Sequence, residues 1–103
     1  MKGEGRNLVV LGAGESGVGA AILGIKQDWN VFVSDFGVIT AEFQEELNSR
    51  QISWEEKKHT AEKILTADLV IKSPGIPDTA PMIQQLKKQG TKIISEIEFA
   101  GYY

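Results

Sequence analysis

The chain contains no cysteine, one histidine and no long apolar run. The missing cysteines exclude a disulfide scaffold, a thiolate zinc site and a cysteine nucleophile. A single histidine, His59, excludes any multi-histidine metal centre. The longest apolar stretches, such as Leu8-Val9-Val10-Leu11, fall far short of the roughly 18 residues that a membrane helix needs. The basic residues form no stripe: the pairs Lys57-Lys58 and Lys87-Lys88 are far apart, and the net charge is −3. Binding to nucleic acid through phosphate charge is therefore not expected. The N-terminal residues carry charge but no secretory hydrophobic region, so a cytoplasmic protein is expected. With 103 residues, of which 42% are apolar, the chain has room for one core and one domain.

What is present is a regular alternation of two periods. Asn7 to Leu11 is a compact apolar run, as in a strand buried on both faces of a parallel sheet. From Ser16 to Asp28 the apolar residues Val18, Ala21, Ile22 and Ile25 recur at helical spacing. Val31-Phe32-Val33 is a second strand, ending at Ser34-Asp35, and a helix from about Thr40 places Phe43 and Leu47 inward. Ile52-Ser53-Trp54 is predicted as a short edge strand, with Glu55 to Lys58 solvated after it. Thr60 is placed to cap a short helix with Ile64 and Leu65. Leu69-Val70-Ile71 is a strong strand and Lys92-Ile93-Ile94 a last one. Between them Pro81 opens a helix, with Ile83 and Leu86 inward and Gly90 at its stop. Ser95-Glu96-Ile97-Glu98 has the form of a capping box, with Ile94 and Phe99 as a hydrophobic staple. A helix so well capped that ends by Tyr103 predicts a chain that is a piece of something longer. The fold expected is α/β: a Rossmann-like, doubly wound, five-stranded parallel sheet in the order 3-2-1-4-5.

Chemistry concentrates at three points. Gly12-Ala13-Gly14-Glu15-Ser16-Gly17 is a G-x-G-x-x-G loop lying directly between a strand and a helix, the context in which that pattern is informative. Gly12 serves the turn, Gly14 lets a phosphate group approach the backbone, and Gly17 lets the helix pack closely. The free N–H groups of the first helical turn can then hold an anion. Asp35, 18 residues after Gly17, ends the second strand where a carboxylate can accept from a nucleoside. Ser73-Pro74-Gly75-Ile76-Pro77 ends the fourth strand, beside the switch point of such a sheet. On these residues alone an NAD-binding domain, of a dehydrogenase or of a regulatory module, is the first candidate. His59 is expected in a solvated loop, Trp29 and Trp54 as packing residues, and Glu42, Glu45 and Glu46 on a solvated helix face. No ordered serine–histidine–acid set is expected.

The three stretches, with Ser34-Asp35 and Ser95-Glu96-Ile97-Glu98-Phe99, resemble the N-terminal domain of the Mur ligases, most nearly the branch that adds D-glutamate. The resemblance covers essentially the whole chain, and the S-P-G-I-P run is its selective part. It implies a domain that binds the UDP moiety of UDP-N-acetylmuramoyl-L-alanine in the cytoplasmic steps of peptidoglycan synthesis. Gly12, Gly14, Glu15, Ser16 and Gly17 then match the diphosphate loop, Asp35 and Phe36 the uracil end, and Ser73 and Gly75 the neighbouring loop. Phe36 replaces a small polar residue of other members, so stacking takes the place of hydrogen bonding. Glu15 puts a carboxylate beside the diphosphate, and its side chain is expected to point away. ATP and magnesium are implied for a full-length ligase with central and C-terminal domains. This chain has no loop ending Gly-Lys-Thr or Gly-Lys-Ser and no D-glutamate domain, so by itself it is expected to catalyse nothing.

Overall fold

The computed structural model describes residues 2–103. Ten elements alternate along them: β1 (Asn7–Leu11), α1 (Glu15–Lys26), β2 (Asn30–Asp35), α2 (Ala41–Ser49), β3 (Ser53–Glu56), α3 (Ala61–Ile64), β4 (Leu69–Lys72), α4 (Pro81–Lys88), β5 (Lys92–Ile94) and α5 (Glu96–Gly101). The strands form one sheet in the order β3-β2-β1-β4-β5, every neighbouring pair parallel, as the sequence predicts. Alternate residues of each strand feed two cores. Leu8, Val10, Val31, Val33, Leu69 and Ile71 face α1, α2 and α5. Val9, Leu11 and Val70 face α3 and α4, where Ile64, Ile83 and Leu86 are buried. This two-sided burial is why β1 shows an unbroken apolar run. The order in which strands are added to the sheet reverses between β1 and β4, and the carboxyl ends of both strands open at that switch point.

The first helix sits differently from its predicted face. Its buried residues are Gly17, Val18, Ala20, Ala21 and Gly24, whereas Ile25 is 37% exposed. Small residues rather than large ones meet the sheet, so α1 lies close to β1 and β2. A Cβ on Gly24 would stand 2.6 Å from Leu8 Cδ2 and 3.0 Å from Val31 Cγ2. The edge strand also extends further than predicted. It runs through Glu55 and Glu56, because the register Ser34↔Glu55 and Asp35↔Glu56 carries pairing with β2 to its end. Glu55 is thus 6% exposed rather than solvated.

The helix ends follow local chemistry. Thr40 Oγ1 accepts from the Phe43 N–H and Ser95 Oγ from the Glu98 N–H. Only this half of the expected capping box is formed, since no bond returns from the Glu98 carboxylate. Gly90, at φ +83°, follows α4. Phe99 is fully buried and meets Trp29 edge-on at 6.3 Å, while Trp29 Nε1 donates to the Tyr103 hydroxyl at 3.1 Å. These contacts fasten α5 beneath α1. Trp54 is half-buried and donates to Asn48, also a packing role.

Gly24→Val is expected to lower the unfolding free energy by about 1–3 kcal/mol through overpacking. Gly19→Ala, where an added methyl meets nothing within 4 Å, is expected to be neutral or to stabilise by up to about 1 kcal/mol. Urea denaturation of both variants checks the pair; equal effects would mean that α1 does not rest on the sheet through Gly24.

Candidate functional site

Three segments meet at the carboxyl end of the sheet. The glycine loop leaves β1 through Gly12 at φ +102°, a conformation that a side chain would strain. A Cβ there would also stand 2.8 Å from the Ser73 Cβ, so the loops after β1 and β4 are in contact at this point. Gly14 is the N-cap of α1, exposed, with nothing within 4 Å of where a Cβ would lie. The space above it is open to an approaching group. A Cβ on Gly17 would collide with the Gly12 carbonyl oxygen, so this position admits only glycine. The first turn of α1 therefore points the N–H groups of Glu15, Ser16 and Gly17 out of the switch point. Glu15 and Ser16 are exposed.

Asp35 joins the second segment to the first. Its Oδ2 accepts from the Ala13 N–H and its Oδ1 from the Gly37 N–H, both at 2.8 Å. The carboxylate that was expected to meet a ligand also orders the glycine loop, and each oxygen retains a further lone pair. Gly12 N–H donates to the Ser34 carbonyl at 2.9 Å, a second tie between the same strands. Phe36, next along, is 72% exposed, and Val38 is 66% exposed. An exposed apolar ring beside the first turn of a helix suits a flat ligand face.

The third segment, Ser73–Pro77, is braced from below. Lys72 Nζ donates to the Ile76 carbonyl at 2.6 Å and pairs with Asp78 at 3.6 Å. Ser73 Oγ accepts from the Gly75 N–H at 3.4 Å, so these two polar groups, expected to face a ligand separately, also meet each other.

One group near the site was missed from the sequence. Ser34 Oγ, fully buried, lies 2.8 Å from Glu55 Oε2 and 2.7 Å from His59 Nδ1. An ordered serine–histidine–acid cluster therefore exists, contrary to expectation. It is not arranged for nucleophilic attack: the serine lies between the other two, inside the core. His59 is half-buried rather than solvated, with its ring edge-on to Phe36 at 5.3 Å. Thr60 heads α3 but caps nothing with its side chain, because its hydroxyl and its N–H both donate to the Glu55 carboxylate. The only sequence signal for the cluster was a polar Ser34 among buried strand residues. Glu42, Glu45 and Glu46 are exposed, as expected.

Burial acts to raise the Glu55 carboxyl, but the hydrogen bonds from Thr60 and Ser34 and the Lys58 charge outweigh it and hold the group below its usual range. Burial pushes the His59 imidazole down, and the Glu55 and Asp35 charges only partly oppose this. Both shifts act on stability in the same direction. Each group binds its proton less readily in the folded chain, so stability is lost as pH falls. The His59 contribution is complete above its ordinary 6.5 and fades below it. The Glu55 contribution is complete above 4.5 and fades as pH falls further. Urea midpoints measured across this range are expected to fall in two phases, with Glu55→Gln removing the lower one. An unchanged lower phase in that variant would mean that Glu55 is not the titrating group.

Comparison with known proteins identifies the family. Residues 6–95 match the family model of the Mur ligase MurD-like N-terminal domain, and the chain belongs to that family. It is 52% identical over 99 residues to UDP-N-acetylmuramoylalanine–D-glutamate ligase of Christiangramia forsetii, a match spanning 96% of this chain and 22% of that protein. The enzyme of the same name from Bacteroides thetaiotaomicron is 56% identical over 98 residues, covering 95% and 22%. The chain thus spans about a fifth of the length of the curated relatives it matches. Among solved structures, a murein peptide ligase from Psychrobacter arcticus superposes with a TM-score of 0.84 at 20% identity, over 95% of this chain and 20% of that one, a likeness of fold. No helix among the described residues is long and apolar enough to cross a membrane.

Proposed function

We propose that this chain is the nucleotide-holding first domain of a cytoplasmic ligase that adds D-glutamate to UDP-N-acetylmuramoyl-L-alanine. The observation that carries this is the convergence of three loops at one point. Gly12 meets Ser73, and Ala13 donates to Asp35, so the ends of β4, β1 and β2 share one crevice. A nucleoside diphosphate fits its chemistry from end to end. The diphosphate lies over Gly14, held by the N–H groups of Glu15, Ser16 and Gly17 and by the positive end of the α1 dipole. Glycine at position 14 leaves the phosphate oxygens free to approach the backbone. Asp35 offers its remaining lone pairs to N–H or O–H groups of the nucleoside, and the Phe36 ring covers a base face. Ser73 and Gly75 bound the other side. Each part binds or orients, and no side chain here is placed to transfer a proton or a group.

The reaction belongs to the rest of a longer ligase. There, ATP with magnesium would supply a phosphoryl group to the alanine carboxylate, leaving as ADP and making the carboxylate open to attack. The amine of D-glutamate would then displace phosphate and lose a proton to form the amide. This domain contributes a fixed grip on the far end of the substrate, which lowers the entropy cost of holding the carboxylate in place. Nothing in the crevice favours nicotinamide over uracil, and membership of the ligase domain family sets the dehydrogenase alternative aside.

UDP is expected to bind the chain with high-micromolar to millimolar affinity. Its few hydrogen bonds net about 0.5–1.5 kcal/mol each, more where charged, against several kcal/mol of association entropy. Amide shifts should cluster on residues 12–17, and NAD should bind more weakly. Gly14→Val is expected to abolish the UDP shifts while leaving the fold intact. Retained binding in that variant would place the site elsewhere.

A separate expectation concerns Asp35. Asp35→Ala should weaken UDP binding about tenfold or more, since a charge-assisted bond is worth roughly 1.5–3 kcal/mol. The same variant should speed hydrogen exchange at the Ala13 amide, which loses its acceptor. Weaker binding with unchanged Ala13 exchange would assign Asp35 to the ligand alone; unchanged binding would remove it from the site.

A further inference from the structure

The Ser34–Glu55–His59 cluster has a consequence for the ligand crevice. Ser34 carries one hydroxyl proton and has three oxygen or nitrogen neighbours: Glu55 Oε2 at 2.8 Å, the Lys58 carbonyl at 3.2 Å and His59 Nδ1 at 2.7 Å. Glu55 can only accept, and as a nearby charged acceptor it takes that proton. The 2.7 Å contact with His59 then requires Nδ1 to be the donor. This fixes the tautomer: Nδ1 carries the hydrogen, and Nε2 of the neutral ring is a bare acceptor. Nε2 makes no hydrogen bond among the described residues. The lowered basicity of the imidazole keeps the ring in this neutral form near pH 7. The charged groups around it are Asp35 on β2, Glu55 on β3 and the adjoining Lys58.

The position matters as much as the tautomer. His59 stands edge-on to Phe36, the exposed ring directly after Asp35. Asp35 has one lone-pair direction of each oxygen already committed to Ala13 and Gly37. The mouth of the crevice at β2 therefore holds a flat apolar ring with a second, uncommitted acceptor beside it.

We propose that His59 is a specificity-determining residue whose Nε2 accepts a hydrogen bond from the N3–H of a uracil base packed on Phe36. This rests on the UDP reading above and names a residue that it left out. Uracil carries a ring N–H between two carbonyls, whereas cytosine has an acceptor nitrogen at the same ring position. A bare nitrogen beside the base thus favours the first and repels the second.

Because His59 is the sole histidine, its ring nitrogens can be followed without assignment ambiguity in a 15N-labelled chain. Without nucleotide, Nδ1 should be the protonated nitrogen. On adding UDP, Nε2 should shift in the direction of an accepted hydrogen bond, and CDP should bind about five- to tenfold more weakly. Two variants separate a contact from a structural role. His59→Gln keeps a polar group at the distal position but not the Ser34 contact, and should retain UDP affinity within about threefold. His59→Asn keeps a group near Ser34 but not the distal one, and should lose about five- to tenfold and most of the preference over CDP. The reverse order would make His59 a structural partner of Ser34 and overturn the proposal. UDP shifts on residues 12–17 with a silent Nε2 would overturn the proposal and leave the UDP reading standing. No shifts on those residues would overturn both.

Discussion

The close approach of Gly17 to the Gly12 carbonyl is the constraint on which the crevice depends. There is no space for a Cβ between them. The helix can therefore begin only one short turn after the strand, with its axis held down against the sheet. Gly24, two turns on, repeats the contact against Leu8 and Val31. With both ends pinned, α1 cannot slide or tilt away, and its first N–H groups have a fixed direction. Backbone amides cannot be aimed by rotamer choice, so an anion site made from them is only as ordered as the helix that carries them. Large residues along this face would stabilise the core more and place the site less well.

Asp35 extends that order sideways. A carboxylate that ties Ala13 to Gly37 couples the loop after β1 to the turn after β2. Lys72 does the same for the loop after β4, reaching forward to Ile76 and Asp78. Exposed loops seldom keep one conformation unless such side chains hold them. Here two charged residues, one at the end of β2 and one at the end of β4, turn three connections into one surface. Loss of either would be felt first as loosened loops, and only secondarily as a lost contact with a ligand.

The sequence made the sheet legible because buried parallel strands are apolar on both faces and the turns carry glycine and proline. Strand order followed from the alternation of periods and the rule for crossovers. The turn at Gly12 and the close packing at Gly17 were also readable, since each spacing has one geometric use. The orientation of α1 was not. Large apolar residues at helical spacing outweighed the small ones, although glycine and alanine were what the short distance to the sheet required. The burial of Glu55 was hidden for another reason. A run of charged residues normally marks solvent, and its exception depends on two partners, Thr60 and Ser34, of which Ser34 lies 21 residues away in sequence. Long-range pairing of polar groups leaves no period to detect.

By net charge alone, −3, the chain is a poor host for a diphosphate. The distribution of that charge resolves the difficulty. Most of the acidic residues lie on solvated faces such as that of α2, where salt screens them beyond roughly 8–10 Å. Glu15, in the glycine loop itself, is exposed to solvent, and two further carboxylates near the crevice are already occupied. Asp35 accepts two backbone N–H groups, and Glu55 is surrounded by donors from Thr60 and Ser34. Neither presents an uncompensated negative field. The first turn of α1 then supplies local positive potential without a lysine or arginine in the glycine loop. Such a site recognises an anion by shape and hydrogen bonds more than by attraction at a distance. On the proposed reading its affinity is accordingly expected to be modest, with discrimination falling to the groups beside it.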